Sequence, residues 1–159
     1  MTKEILTVGM SLLLALVFAT TTVPEAIAPG AAPTEEQTEQ VPEKRYYLTV
    51  DERELICEVV MAESGTEPYA GKIAVSQCIL NACEQTGKRP AEIVTEYGYT
   101  ARRVKPSAEV EKAVSAVFDD GEAVTDAEIL YFYAPELVSS EWHESQTYIC
   151  TIGGHRFFA

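Results

Sequence analysis

Glu63 closes an apolar helical run, Val59-Val60-Met61-Ala62, and is followed at once by the turn-prone Ser64-Gly65-Thr66. A carboxylate at that position faces the negative end of a helix macrodipole and has apolar neighbours. Both influences disfavour its ionised form. A carboxylic acid kept protonated near neutral pH is what general-acid cleavage of an acetal requires. An exposed acid ending a surface helix fits the same pattern, and a lone glutamate is not a motif. Glu67 is the other acid in this seam and a candidate second carboxylate, although its place before Pro68 equally suits a helix cap.

Tyr69, Tyr97, Tyr99, Tyr131, Tyr133 and Trp142 offer flat faces to pyranose rings and polar edges for hydrogen bonds. Tyr131 and Tyr133 alternate with Phe132 as strand residues do, so packing accounts for part of the set. Tyr99 sits in Tyr97-Gly98-Tyr99-Thr100, a loop rather than a regular packing face, which favours a substrate contact. Thr100 beside it is a candidate hydrogen-bond partner for Glu63 or for a bound substrate. The two histidines, His143 and His155, do not make a metal site. His143-Glu144 lacks the second histidine at helical spacing that a zinc protease needs, so no metal or other cofactor is expected. His155, in a Gly-Gly turn, suits hydrogen bonding and joins the candidate substrate contacts.

The elements that must position these residues are legible. Thr49-Val50-Asp51-Glu52 has the capping-box pattern, and Leu55, Ile56, Val59 and Val60 recur at helical spacing, predicting a first helix to about Glu63. Pro68 suits the first turn of a second helix. Its Ile73, Val75, Cys78, Ile79, Leu80, Ala82 and Cys83 leave little polar face, which makes it central, and Gly87 ends it. Pro90 opens a short helical piece through Val94. Ser107 caps a further helix with Val110, Val114, Val117 and Phe118 on one side and Gly121 as its stop. The period then changes. Ile129–Pro135 and Thr147–Ile152 are β-branched and aromatic, and Gly153-Gly154 turns the chain into His155–Phe158. Helices first and a small antiparallel sheet afterwards give an α+β domain.

The chain has 159 residues, enough for one modest domain, and residues 45–159 look globular. A formal charge of −13, from 25 acids against 12 bases, argues against nucleic acid and against docking on anionic lipid. A neutral or cationic ligand such as a sugar or peptide polymer fits better. Residues 1–23 read as a signal peptide or N-terminal membrane anchor: Lys3 supplies the positive end, and residues 5–23 are apolar or small nearly throughout. Residues 24–44, rich in Pro, Ala and Glu, read as an extended acidic linker without a core. The expectation is export, to the wall or to the outer face of the cytoplasmic membrane. Four cysteines (Cys57, Cys78, Cys83, Cys150) allow disulfides in such a compartment, but Cys57, Cys78 and Cys83 fall on apolar stripes that equally suit buried thiols.

Three separated stretches, Ala62–Asn81, Tyr131–Pro135 and Thr151–Phe158, together resemble the SleB-type cell-wall hydrolase family, in order and over nearly all of 55–158. The resemblance implies a lysozyme-like or resuscitation-factor-like helical core with a small sheet, peptidoglycan glycan strands as substrate, and one catalytic glutamate matching Glu63. The chain departs from the family in its cysteine content and in the segment between Gly87 and Pro106. Glu63-Ser64 also resembles the glutamate-serine step of lytic transglycosylases. One acid suffices for such an enzyme, whereas a hydrolase normally uses two carboxylates flanking the bond. Two readings follow: an exported enzyme cutting the bond between N-acetylmuramic acid and N-acetylglucosamine through Glu63, or a catalytically silent, membrane-tethered wall-binding module. Whether a protein partner activates it is left open.

Overall fold

The computed structural model describes residues 46–159; the expected export segment (1–23) and linker (24–44) lie outside the described residues. Among the described residues no helix is long and apolar enough to cross a membrane. The first helix, α1, runs Val50–Ser64 with the expected capping box at its start: Thr49 accepts the Glu52 N–H, and Glu52 accepts the Thr49 N–H at 2.9 Å. It buries Ile56, Cys57, Val59 and Val60.

Helix α2 (Tyr69–Thr86) is the centre of the domain, buried without a break from Gly71 to Cys83. Two of its polar side chains hold the chain that leads into the sheet. Gln77 accepts the Val124 N–H at 3.0 Å and donates to the Thr125 carbonyl at 2.9 Å, and Asn81 donates to the Ile129 carbonyl at 2.9 Å. A buried amide with its partners supplied this way costs little and fixes a register. Gly87, at φ 71°, closes α2 in the left-handed conformation.

Helix α3 (Pro90–Glu96) runs slightly beyond the expected Val94. Helix α4 (Ala108–Phe118) is capped by Ser107 and packs Val110, Val114, Val117 and Phe118 inward. It stops at Phe118 with Asp119 as its cap, and Gly121 only turns the chain afterwards. Strand β1 is Tyr131–Tyr133, the single-turn α5 is Glu141–Glu144, and β2 (Tyr148–Ile152) and β3 (His155–Phe158) complete an antiparallel sheet ordered β1-β3-β2. Phe157 and Phe158 on the central strand are fully buried. The α+β architecture expected from the sequence is therefore the one observed, with the small sheet at the C-terminal end. The cysteines are free thiols, Cys57, Cys78 and Cys83 buried and Cys150 half-buried, and burial pushes Cys57 and Cys83 up to about 11.

Candidate active site

The end of α1 is tightly made. The Ser64 hydroxyl turns back to the Val60 carbonyl at 2.8 Å, the Gly65 N–H reaches Met61 O at 3.0 Å, and the Glu67 N–H reaches Ser64 O at 2.9 Å. Glu63 in the last turn is half-buried, and its Oε1 accepts the Thr100 N–H at 2.7 Å. That donor comes from the loop after α3. There Tyr99 N–H bonds to Val94 O at 3.1 Å, and Gly98 takes φ 71°, which a side chain would resist. The last turn of α1 and a loop donor 37 residues later in sequence thus fix one carboxyl group.

Glu63 opens into a cleft of about 460 Å³, lined also by Glu96, Tyr97, Tyr99, Tyr131, Trp142 and His143. Its aromatic wall is continuous. Tyr97 stacks on Tyr131 at 5.6 Å, and Trp142 meets Tyr131 edge-on at 4.9 Å while remaining half-exposed. Such a surface suits a pyranose face on one side and water on the other. Tyr99 lines the cleft with a ring tilted against Phe132 at 5.8 Å, but its hydroxyl is buried without a partner, pointing into the protein. Burial pushes that hydroxyl well above the ordinary tyrosine range, with Cys78 and Glu63 adding to the shift.

Other candidates are elsewhere. Tyr69 does not line the cleft; its ring lies under Lys112 at 5.3 Å, beside α4. Tyr133 stacks on Phe158 at 5.9 Å and gives its hydroxyl to Glu144, outside the cleft. His155 is mostly buried against Phe132 and Phe157, with Nδ1 3.4 Å from Glu67 Oε1 and no hydrogen bond formed between them.

Glu67 is not the cap of α2, as its position allowed. That helix starts on Pro68 with no side-chain cap, and the Glu67 carboxylate instead accepts the Gly154 N–H at 2.8 Å. The reason is spatial: the β2–β3 turn packs on the seam and supplies a donor that the helix start would otherwise have competed for. Nor does Glu67 line the cleft. Its backbone carbonyl accepts a hydrogen bond from Lys72, whose ammonium also meets Glu109 at 3.0 Å. Lys72 is 2% exposed, and the lone base in an apolar helical run was its signal in the sequence. Glu96, unexpected as a cleft residue, is ion-paired with Lys88. Among the described residues no group of three His, Cys, Asp or Glu side chains is arranged to hold a metal ion. His143 is engaged with the Ser140 hydroxyl at 2.7 Å.

A helical core joined to a small sheet, with Glu63 and Glu96 opening into an aromatic cleft, is the arrangement of a lysozyme-like α+β domain. The chain belongs to the cell wall hydrolase family, whose model matches residues 66–158, more than half of its length. Glu63 lies just before the matched stretch. Membership makes the protein a peptidoglycan-degrading enzyme. Its fold is similar to that of the catalytic domain of the Bacillus cereus SleB protein, with a TM-score of 0.59 at 24% identity, covering 71% of this chain and 93% of that one. The catalytic domain of the germination-specific lytic transglycosylase SleB from Bacillus anthracis gives 0.57 at 24% identity, covering 70% and 97%. At that identity the likeness speaks for the fold alone. No curated protein matches the chain.

Proposed function

We propose that the protein is an exported lytic transglycosylase that cuts the bond between N-acetylmuramic acid and N-acetylglucosamine with Glu63 as its only acid and base. The observation that carries this reading is the charge inventory of the cleft. Glu63 is a carboxylate there with no cation paired to it among the described residues, and it is aimed by the Thr100 N–H. Glu96 is neutralised by Lys88, and Glu67 is turned away into the sheet.

In the reaction, the Glu63 proton passes to the glycosidic oxygen as the bond from muramyl C1 breaks, releasing an N-acetylglucosamine hydroxyl. The carboxylate then takes the proton of the muramyl 6-hydroxyl while O6 closes onto C1. A 1,6-anhydro end forms, no water is consumed, and Glu63 is again protonated. The stacked Tyr97 and Tyr131 supply an aromatic wall on which a sugar ring can bind near Glu63.

Digestion of purified wall sacculi followed by mass spectrometry tests the reading. Anhydro ends, one water lighter than hydrolytic products, are expected, and Glu63→Gln should lower turnover at least ~100-fold with an unchanged thermal midpoint. Residual activity above about a tenth of wild type would point to another acid. Because Glu96 lines the same cleft, a hydrolytic variant is the second reading; reducing ends that carry oxygen from labelled water would establish it.

A further inference from the structure

Arg102, Arg103 and Lys105 form an exposed basic run in a chain of formal charge −13. The run follows directly on the loop that holds Glu63. Thr100, whose N–H holds Glu63, accepts the Arg102 N–H on its hydroxyl at 3.1 Å and the Arg103 guanidinium on its carbonyl at 3.0 Å. Arg103 also approaches Glu58 at 3.8 Å, so it acts as the strut of the loop. Arg102 and Lys105 are different: neither side chain has a carboxylate partner among the described residues, although the chain has about twice as many acids as bases. With two steps of chain between them, the Arg102 Cα lies within about 8 Å of the Thr100 Cα. Arg102 is thus an exposed residue two positions along from the donor that aims Glu63.

Unpaired cations on so acidic a surface do nothing for solubility, which net negative charge already secures. They do create a local attraction for anions where the rest of the surface repels them. The sugars of a glycan strand are neutral and need no such help. The anions along the strand are the carboxylates of the peptide stems, carried by the muramic residues that flank the scissile bond.

We propose that Arg102 and Lys105 form an anionic subsite that binds peptide-stem carboxylates, making peptide-bearing strands the preferred substrate; this rests on the proposed function above. Arg102 offers a planar fork matched to a carboxylate, and Lys105 a second, more mobile point charge. The subsite acts on binding, so its effect belongs in KM and weakens as salt rises.

The test uses peptidoglycan freed of phosphate polymers, in three forms: native, with carboxylates amidated by methylamine, and amidase-treated so that only the lactyl carboxylate remains. Wild-type KM should be about fivefold higher on the amidated form, and the gap should shrink in high salt. In Arg102→Gln/Lys105→Gln the native-to-amidated ratio should fall towards one, while the remote control Lys112→Gln keeps the wild-type ratio. Equal wild-type KM on native and amidated strands would overturn the proposal. Amidase-treated strands handled as well as native ones would move the anion to the lactyl group and overturn the stem assignment. If wild type cleaves none of the three, the proposed function fails instead; binding of the Glu63→Gln protein to native and amidated strands still reads the subsite separately.

Discussion

The Glu67 carboxylate accepts the Gly154 N–H at 2.8 Å, joining the loop just after Glu63 to a turn 87 residues later. Gly153, at φ +56°, lets that turn pass over the carboxylate; a Cβ there would stand 1.8 Å from Glu67 Oε2. Gly153→Ala should therefore cost about 2–3 kcal/mol in urea unfolding, part from the left-handed backbone and part from the expelled carboxylate. In a Glu67→Ala background the same substitution should cost roughly half as much. Equal costs in both backgrounds would show that the two residues do not compete for the space.

Thr100 serves Glu63 through its backbone, so the two obvious substitutions should separate. Thr100→Ala keeps the N–H and should retain activity within about threefold. Thr100→Pro removes the donor and should lower turnover roughly tenfold or more, the worth of a hydrogen bond to the carboxylate that forms as the glycosidic bond breaks. Circular dichroism and thermal unfolding of both proteins check that the loop still folds. Matching activities would mean that another contact aims the carboxylate.

The loop position of Tyr99 favours a substrate contact, and its placement makes it a packing residue as well. The ring lines the cleft, yet the hydroxyl is buried and unpartnered and the residue packs on the core. Tyr99→Phe should be neutral or stabilising by up to about 1 kcal/mol, because it removes a desolvated hydroxyl. Tyr99→Ala should cost about 3 kcal/mol in unfolding. A marked loss of activity in Tyr99→Phe without loss of stability would instead give the hydroxyl a role in the reaction.

The parts of this molecule that depend on neighbours in sequence were legible, and those that depend on distant partners were not. The capping box from Thr49 to Glu52 is written within four positions, and the unbroken apolar character of α2 announces its burial. The alternation of Tyr131, Phe132 and Tyr133 was read correctly: Phe132 turns to Tyr99 and Phe157, while Tyr131 and Tyr133 turn to Trp142 and His143. Glu67 could not be read, since its partner is a backbone N–H in the last turn of the sheet. Glu96 carries no signal in the sequence because its cleft is completed by the strand and α5. Tyr69 was chosen for its chemistry alone, and the start of α2 points it to α4. A four-residue helix such as α5 has too little periodicity to detect.

Acid stability should depend on one ion pair that does not line the cleft. Glu52 caps α1 and also receives Arg89 Nε at 2.7 Å, with a second bond from the same guanidinium. The Arg89 hydrogen bond, opposed by burial and helped by Thr49, holds the Glu52 carboxyl at about 2, well below its usual 4.5. The unfolded chain therefore takes up a proton between pH 4.5 and 2 that the folded chain refuses. The stabilisation from this pair is complete above pH 4.5 and is lost as the pH falls through that window. Arg89→Gln should lower stability at pH 7 by about 1 kcal/mol, a figure tempered by the half-exposed guanidinium. Between pH 5 and 3 the variant should lose less additional stability than wild type, so the two urea midpoints converge as the pH drops. Parallel curves across that range would mean that Arg89 acts through its packing over the Tyr46 ring and not through the Glu52 charge.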